Sequence, residues 1–196
     1  MAGGSRPWRR SERRPNTLSL GIETAILLWI HQWANPCLDG FFRLSHFLGR
    51  LPAFVVLVLS MVLWRAERGE RRQALTWLLL GLTTIALLEG LKWTVGRPRP
   101  MLWPRLVVQT DASFPSGHAL AAATFYPLLA WQASRLLPRW TRLWCTSAIL
   151  GSAWLGVGRL YLGVHWPSDV LAGWALGSIQ ACLGQRLLEQ KHAGSG

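Results

Sequence analysis

Apolar residues along this chain are gathered into six stretches, each close to the length of a membrane-spanning helix. Most are slightly shorter than the roughly 20 residues that cross the hydrocarbon core of a bilayer, so tryptophan and long basic side chains must complete their ends. The pattern predicts an all-α fold, an integral membrane bundle of six transmembrane helices. The six stretches lie near residues 17–34, 47–64, 73–93, 118–137, 141–158 and 167–185.

The first stretch is the least typical of the six, because it contains Glu23, His31 and Gln32. A helix with such residues can lie in the membrane interface instead of crossing the bilayer. Asparagine, proline and glycine within residues 35–40 predict a turn at its end.

The six stretches define one domain, a six-helix membrane domain over residues 17–190. Residues 1–16 contain five arginines and few apolar side chains, and are predicted to form a disordered, basic cytoplasmic tail against anionic head groups. Residues 191–196 form a second, short tail.

The composition supports a membrane protein over a nucleic-acid binder. Apolar residues make up 51% of the chain and charged residues 15%, and thirteen tryptophans suit the membrane interface. The net charge of +12 could indicate nucleic acid, but the basic residues cluster between the apolar stretches. We therefore expect membrane lipids as partners and no nucleic acid. The three cysteines match no zinc or redox spacing and are interpreted as small apolar side chains.

The distribution of basic residues predicts the orientation. With a cytoplasmic N-terminus, 14 of the 21 basic residues fall on the cytoplasmic side. The positive-inside rule then predicts a multi-pass protein of the cell (inner) membrane with both termini cytoplasmic. Three polar stretches at the ends of apolar segments would share the opposite face, towards the periplasm or exterior.

The first polar stretch holds Lys92, Arg97 and Arg99, and prolines at 98 and 100 make it extended and stiff. Its cations could converge on one anion, or could simply extend to the membrane edge, as basic side chains at helix ends often do. Glu89 lies three positions before Lys92, so the two could pair on one helix face.

The second polar stretch begins at Ser113 and ends in Pro115, Ser116, Gly117 and His118. Serine is a good helix N-cap, and glycine lets the backbone approach a ligand closely. The free amides of the first helical turn favour an anion. His118 lies at the same helix start, where it could act on that anion or serve only as an interface residue.

The third polar stretch contains Arg159, His165 and Asp169, with Pro167 suited to the first helical position. The carboxylate of Asp169 could accept a hydrogen bond from one ring nitrogen of His165 and leave the other free to attack. Alternatively, Asp169 only caps the helix and His165 lies in the interface. Further on, the spacing of Gly173 and Gly177 predicts close helix packing.

Together the three stretches resemble the signature of the type 2 phosphatidic acid phosphatase superfamily. That signature is Lys, six residues, Arg-Pro; then Pro-Ser-Gly-His; then Ser-Arg, five residues, His, three residues, Asp. One departure is Gly158, where the family usually has serine, so a hydroxyl near the phosphate is absent and affinity or rate could be lower. The matches are Lys92, Arg99, Pro100, Pro115, Ser116, Gly117, His118, Arg159, His165 and Asp169.

The resemblance implies a role for each of these residues. His165 would attack phosphorus and form a phosphohistidine, Asp169 would orient it, and His118 would be the general acid and then the base. The cations would replace a metal, so no metal or other cofactor is expected. The phosphate-binding set would be Lys92, Arg99, Ser116, Gly117 and Arg159, with Arg97 and Pro115 supporting it.

The substrate implied is a lipid phosphate or diphosphate, since a site at the membrane edge suits an amphiphile. Undecaprenyl diphosphate, converted to undecaprenyl phosphate with broad specificity, is favoured because the chain is similar to compact bacterial members. Phosphatidate and phosphatidylglycerophosphate are alternatives. A lipid-head phosphotransferase and a non-catalytic lipid-binding or transport protein are further alternatives, and the oligomeric state stays open.

Overall fold

All secondary structure between residues 17 and 190, the part of the chain that the computed structural model describes, is helical. No strand occurs among these residues, so the predicted all-α fold is confirmed there. The predicted tails, residues 1–16 and 191–196, lie outside the described residues. The α-helices are α1 (Thr17–His31), α2 (Pro36–Leu48), α3 (Leu51–Glu67), α4 (Arg71–Val95), α5 (Gly117–Leu136), α6 (Thr141–Tyr161) and α7 (Pro167–Glu189), with a single 3₁₀ turn at Pro138–Trp140.

Helix α2 is the element that the apolar pattern did not predict. The side chain of Asn35 accepts a hydrogen bond from the amide of Leu38 at 3.0 Å, and Pro36 takes the first helical position, where its missing N–H costs nothing. The prediction of a turn over residues 35–40 is therefore wrong from Pro36 onwards, because α2 begins at Pro36. The second apolar stretch is divided at Gly49, and the axes of α2 and α3 differ by 48°.

Helix α5 packs against both α6 and α7. A Cβ on Gly177 would lie 2.4 Å from the carbonyl oxygen of Leu120, and one on Gly173 would lie 2.7 Å from that of Ser116. The close packing predicted from this glycine spacing is confirmed. It brings the starts of α5 and α7 together, and the amide of Ser116 donates to the carbonyl of Asp169 at 3.0 Å.

The main apolar core joins α3, α4, α5, α6 and α7. Buried aromatic and aliphatic side chains interlock there, and small alanines of α5 let its neighbours approach closely. Its members are Phe54, Val58, Trp77, Leu80, Ala121, Ala122, Phe125, Leu128, Leu155, Ala181 and Leu188.

The outer faces of the helices carry many exposed large apolar side chains, among them Val56, Leu82, Ile149, Leu171 and Ile179. Extended exposed apolar surface is typical of proteins that contact lipid.

By length and composition, α4 is the one helix between residues 17 and 190 that could cross a membrane by itself. The bent pair α2 and α3 passes the same test when taken together, and α1 contains a shorter apolar helix. The predicted count of six spans therefore stays a prediction.

Candidate active site

Residues from all three polar stretches meet at one end of the bundle. Lys92 lies in the last turn of α4, His118 in the first turn of α5 and Arg159 in the last turn of α6. His165 lies in the link before α7, and Asp169 lies in the first turn of α7. A cavity of about 450 Å³ opens here, and its lining includes Lys92, Arg99, Gly117, His118 and His165.

His165 is held with one ring nitrogen towards Arg99 and the other towards Asp169. Its Nε2 lies 3.0 Å from Nη1 of Arg99, and because a guanidinium only donates, Nε2 must accept. The ring proton is therefore on Nδ1, which lies 3.5 Å from a carboxylate oxygen of Asp169, longer than a normal hydrogen bond. Burial, together with the nearby charges of Arg99 and Arg159, lowers the pKa of His165 from 6.5 to about 4, so the ring is neutral.

Asp169 is fully buried, and several donors hold its carboxylate. Arg97 Nη1 donates to one oxygen at 2.7 Å, and the amide of Trp166 donates to the other at 2.9 Å. The hydroxyl of Ser113 also donates to the second oxygen. These bonds fix the carboxylate behind the His165 ring.

Arg97 lies behind Asp169 and joins it to α1. Its Nη2 pairs with Glu23 at 2.5 Å, while Glu23 also accepts from the amide of Ser168 at 3.0 Å. The presence of Glu23 in the first apolar stretch is thereby explained, because this carboxylate is buried in the network.

Arg159 carries buried donors without acceptors. Its side chain is completely buried, and Nη1 lies 2.8 Å from Nδ1 of His46. Among residues 17–190, Nε and Nη2 of Arg159 and the hydroxyl of Ser116 have no hydrogen-bond partner. Buried polar groups are normally paired, so this arrangement is suited to an anion with several acceptor oxygens.

His118 is oriented by the main chain of α2. Its Nε2 lies 3.1 Å from the carbonyl oxygen of His46 and 3.4 Å from Nη1 of Arg159. The carbonyl is the nearer partner and can only accept, so Nε2 carries the hydrogen. This leaves Nδ1 of His118 as the nitrogen that can exchange a proton with a ligand.

Lys92 and Arg99 share a carboxylate of the protein. Asp111 pairs with Lys92, and its other oxygen lies 2.9 Å from Nη2 of Arg99. The predicted Lys92–Glu89 pair is wrong, because Asp111 from the long link between α4 and α5 takes that place. Burial tends to raise the pKa of Asp111, but the hydrogen bond from Lys92 and the charge of Arg99 outweigh it and keep the pKa below its ordinary value.

The remaining predicted residues lie at the start of α5. Ser116 is buried at the N-cap, Gly117 is the first helical residue, and Pro115 is buried just before them. Ser116 makes no side-chain capping bond, so its hydroxyl is not used by the helix.

Sequence reasoning missed His46 and Asp111, and gave no role to Ser113, although Ser113 begins the second polar stretch. No spacing rule pointed to His46, because α2 was not predicted, and the two others lie in a link without periodicity. Within residues 17–190 no three His, Cys, Asp or Glu side chains are grouped to hold a metal ion. The expectation of a metal-free site stays a prediction.

Comparison with known proteins identifies the family. The model of the PAP2 superfamily matches residues 74–192. Phosphatidylglycerophosphatase B of Bacillus subtilis is 32% identical over 160 residues, covering 80% of this chain and 76% of the relative. An undecaprenyl-diphosphatase of Sulfolobus acidocaldarius is 34% identical, covering 57% of this chain and 53% of the relative. A lipid A 1-phosphatase of Rhizobium etli is 33% identical, covering 55% and 50%.

A solved structure has a fold similar to that of this chain. The crystal structure of a transmembrane PAP2-type phosphatidylglycerolphosphate phosphatase from Bacillus subtilis superposes with a TM-score of 0.78 at 28% identity, covering 88% of this chain and 87% of the other. The resemblance suggested by the three polar stretches is thus confirmed, and the chain belongs to the PAP2 superfamily.

Proposed function

We propose that the protein is a metal-independent membrane phosphatase that hydrolyses a lipid phosphate or diphosphate through a phosphohistidine intermediate. The observation that carries this proposal is the set of buried, unpaired donors on Arg159 and Ser116 beside the neutral His165. Leaving such donors without acceptors is costly, and a phosphoryl group supplies several acceptor oxygens at once.

In the first step, Arg99 turns its donor from Nε2 of His165 to an oxygen of the phosphate, which frees the Nε2 lone pair. That lone pair forms a bond to phosphorus while the bond from phosphorus to the leaving oxygen breaks. Asp169 faces Nδ1–H and stabilises the positive charge that develops on the ring. For this step His118 must carry a proton on both ring nitrogens when the substrate is bound, and it gives the Nδ1 proton to the leaving oxygen while Nε2–H stays on the His46 carbonyl.

In the second step, His118 removes a proton from water, whose oxygen attacks phosphorus as the bond to His165 breaks. Arg159, Arg99 and Lys92 stabilise the charge on the equatorial oxygens throughout. Some of the contacts of Asp111 with Lys92 and Arg99 must break when the phosphate binds, because the same donors then bind oxygens of the substrate.

The shape of the cavity supports a lipid substrate. From the site it continues between α3 and α4, where most of its walls are apolar, so a phosphate head at His165 could be followed by a hydrocarbon tail in this groove. The apolar walls include Val55, Val58 and Leu59 of α3, and Leu78, Leu82 and Ile85 of α4.

Undecaprenyl diphosphate, with broad specificity, is the substrate we propose. The relatives described above are named for phosphatidylglycerophosphate, undecaprenyl diphosphate and lipid A, all of them amphiphiles that carry phosphate. Phosphatidylglycerophosphate is the second candidate, because the relative that covers 80% of this chain bears that name. Phosphatidate is also compatible with the groove.

The proposal includes the topology. Helices α1 and α3 to α7 would form six spans, with both termini cytoplasmic and the site on the periplasmic or outer face. Arginines concentrated at the helix ends opposite the site support this orientation. They are Arg65, Arg68, Arg71, Arg72, Arg135, Arg139, Arg142 and Arg186.

Phosphate release by the purified protein tests the proposal, with undecaprenyl diphosphate, phosphatidylglycerophosphate and phosphatidate as substrates and a chelator present. We expect turnover that resists the chelator, near-complete loss in His165→Ala and a loss of about 10²–10⁴-fold in His118→Ala. His31→Ala is the matched control, because His31 stacks on Trp103 at 4.0 Å and does not line the cavity.

Two results would contradict this mechanism: loss of activity on chelation, or full activity in His165→Ala. A new phosphoester in the presence of an added alcohol, instead of free phosphate, would favour the phosphotransferase alternative. Substrate binding without any product would favour a non-catalytic lipid-binding protein.

A further inference from the structure

Two cations line the cavity that joins the phosphate site to the apolar groove. Arg50 lies at the start of α3 and Lys92 at the end of α4, and both line the cavity that contains His165 and His118. Lys92 is paired with Asp111, whereas Arg50 takes part in no ion pair among residues 17–190. A lipid with its head at His165 and its tail between α3 and α4 would occupy the cavity that both cations line.

The position of His118 indicates which side of the site receives the leaving group. In an in-line displacement the leaving oxygen departs opposite the nucleophile, so it departs on the side of the general acid. His118 packs against the corner between α2 and α3, since a Cβ on Gly49 would lie 2.3 Å from its Cδ2. Arg50 is the next residue along the chain and lines the same cavity as His118, so we place its charge at the leaving-group side.

The two substrate classes differ in what leaves. A lipid monophosphate releases a neutral alcohol, whereas a lipid diphosphate releases a lipid monophosphate that carries negative charge. A cation at the leaving-group side therefore accelerates cleavage of a lipid diphosphate more than cleavage of a lipid monophosphate. Arginine suits this task because its planar guanidinium can bind two phosphate oxygens at once.

We propose that Arg50 binds the second phosphate of a diphosphate lipid, the one next to the hydrocarbon tail, and so determines preference for diphosphates over monophosphates. This inference rests on the proposed function of the His165 site. Within it, Lys92, Arg99 and Arg159 serve the phosphate that is cleaved, and Arg50 serves the phosphate that leaves with the lipid.

The test compares farnesyl diphosphate with farnesyl monophosphate, which share one tail, on the purified full-length protein. Arg50→Gln should lower kcat/KM for the diphosphate by about 10- to 100-fold, the range expected for a lost charged hydrogen bond, and by less than about threefold for the monophosphate. Arg50→Lys should recover part of the diphosphate activity. Arg43→Gln is the control, because Arg43 is an exposed arginine on α2 that does not line the cavity, and it should leave both activities unchanged.

An equal loss with both substrates, or no loss with the diphosphate, would overturn the inference. Binding of methylenediphosphonate, measured by calorimetry, separates this inference from the function. If the wild type cleaves neither substrate but binds the diphosphonate at least tenfold more tightly than Arg50→Gln does, the function fails and the subsite stands. If the two proteins bind the diphosphonate equally, the subsite fails, whatever the activity.

Discussion

Gly158 on α6 lies against Ser45 on α2 so closely that a Cβ on Gly158 would be 2.3 Å from the Ser45 hydroxyl oxygen. Ser45 is fully buried, and its hydroxyl donates to the carbonyl of Phe42 at 2.7 Å. The glycine that departs from the family signature thus lets α2 approach α6. That approach places His46 at 2.8 Å from Arg159.

Gly158→Ser is therefore expected to destabilise the protein by about 1–3 kcal/mol, the usual cost of overpacking a core. It should also reduce activity, because α2 would move and take His46 away from Arg159. Unfolding in detergent and phosphate release measure the two effects.

Ser45→Ala provides the partner variant for this test. Removing the hydroxyl leaves the Ser45 Cβ at 3.4 Å from the added Cβ, while Cδ1 of Phe42 stays at 3.1 Å. The double variant should therefore recover part of the stability that Gly158→Ser loses, as a coupling in a double-mutant cycle. Strictly additive losses would show that the two residues do not share this space.

His46→Ala is expected to lower kcat more than it raises KM. The variant removes the acceptor that holds Nη1 of Arg159, while the His46 carbonyl that orients His118 remains. The guanidinium would then lose its alignment towards the transition state, whose charge it must match. Steady-state kinetics measure the effects on kcat and on KM separately.

Rescue distinguishes positioning by His46 from mere packing. His46→Asn keeps an acceptor near the place of Nδ1 and should recover part of kcat, whereas His46→Leu fills similar space without an acceptor and should not. Equal kinetics in these two variants would argue against positioning.

Much of the site could be predicted because its chemistry lies at helix ends. Lys92, His118, Arg159 and Asp169 each occupy the first or last turn of a helix, and local spacing indicates such positions well. The spacing of Gly173 and Gly177 likewise predicts close packing of α7, although it does not identify α5 as the partner helix.

The missed parts depend on contacts between residues far apart in the chain. Glu23 is separated from Arg97 by 74 positions, and His46 from Arg159 by 113. A glutamate such as Glu23 within an apolar stretch is consistent both with a buried ion pair in a spanning helix and with a helix that lies in the membrane interface. No local pattern distinguishes these two interpretations. Asp111 could not be predicted for a similar reason. It lies in a link without periodicity, and the local sequence does not indicate which cations its carboxylate will contact.

Removal of His118 should affect the two chemical steps differently when the leaving group needs no proton. With p-nitrophenyl phosphate, His118→Ala should still form the phosphohistidine, but water attack would lack its base and slow by about 10²–10⁴-fold. Nitrophenol should therefore appear as a burst close to one equivalent of enzyme, followed by slow turnover.

His165→Ala is the control for the burst, because it cannot form the intermediate and should release none. A His118→Ala reaction that is slow from the first turnover would contradict the assignment of His118 to the second step. Label from the phosphate retained on the denatured His118→Ala protein would provide a second measurement.

The stability of the fold should fall in acid partly because of His165. Its pKa is lowered from 6.5 to about 4 by burial, so between these pH values the unfolded chain binds more protons than the folded one. The stabilisation is complete above pH 6.5 and is lost as the pH falls towards 4. At pH 5 the loss is on the order of 2 kcal/mol.

His165→Gln removes this titration and should lose less stability than the wild type between pH 7.5 and pH 5. Chemical unfolding in detergent at both pH values measures the difference, and each protein serves as its own reference at pH 7.5. Identical losses in the two proteins would show that His165 does not contribute to the acid response.

The proposed orientation predicts which face of the membrane each link occupies. Val108 lies in the link between α4 and α5 with 86% of its surface exposed, and Arg68 is exposed just after α3, at the opposite end of the bundle. In a variant without Cys37, Cys145 and Cys182, Val108→Cys should react with a membrane-impermeant maleimide in intact cells. Arg68→Cys should react only after the cells are permeabilised, since its link would be cytoplasmic.

The labelling also bears on how the substrate arrives, because a site on the periplasmic or outer face can take only lipids whose phosphate is exposed there. Both cysteine variants must retain phosphatase activity, which shows that the labelled protein is folded. Labelling of Arg68→Cys but not Val108→Cys in intact cells would invert the topology and place His165 on the cytoplasmic face. The chemistry at His165 would then be unchanged, but the lipid pool available to it would be the one on the inner leaflet.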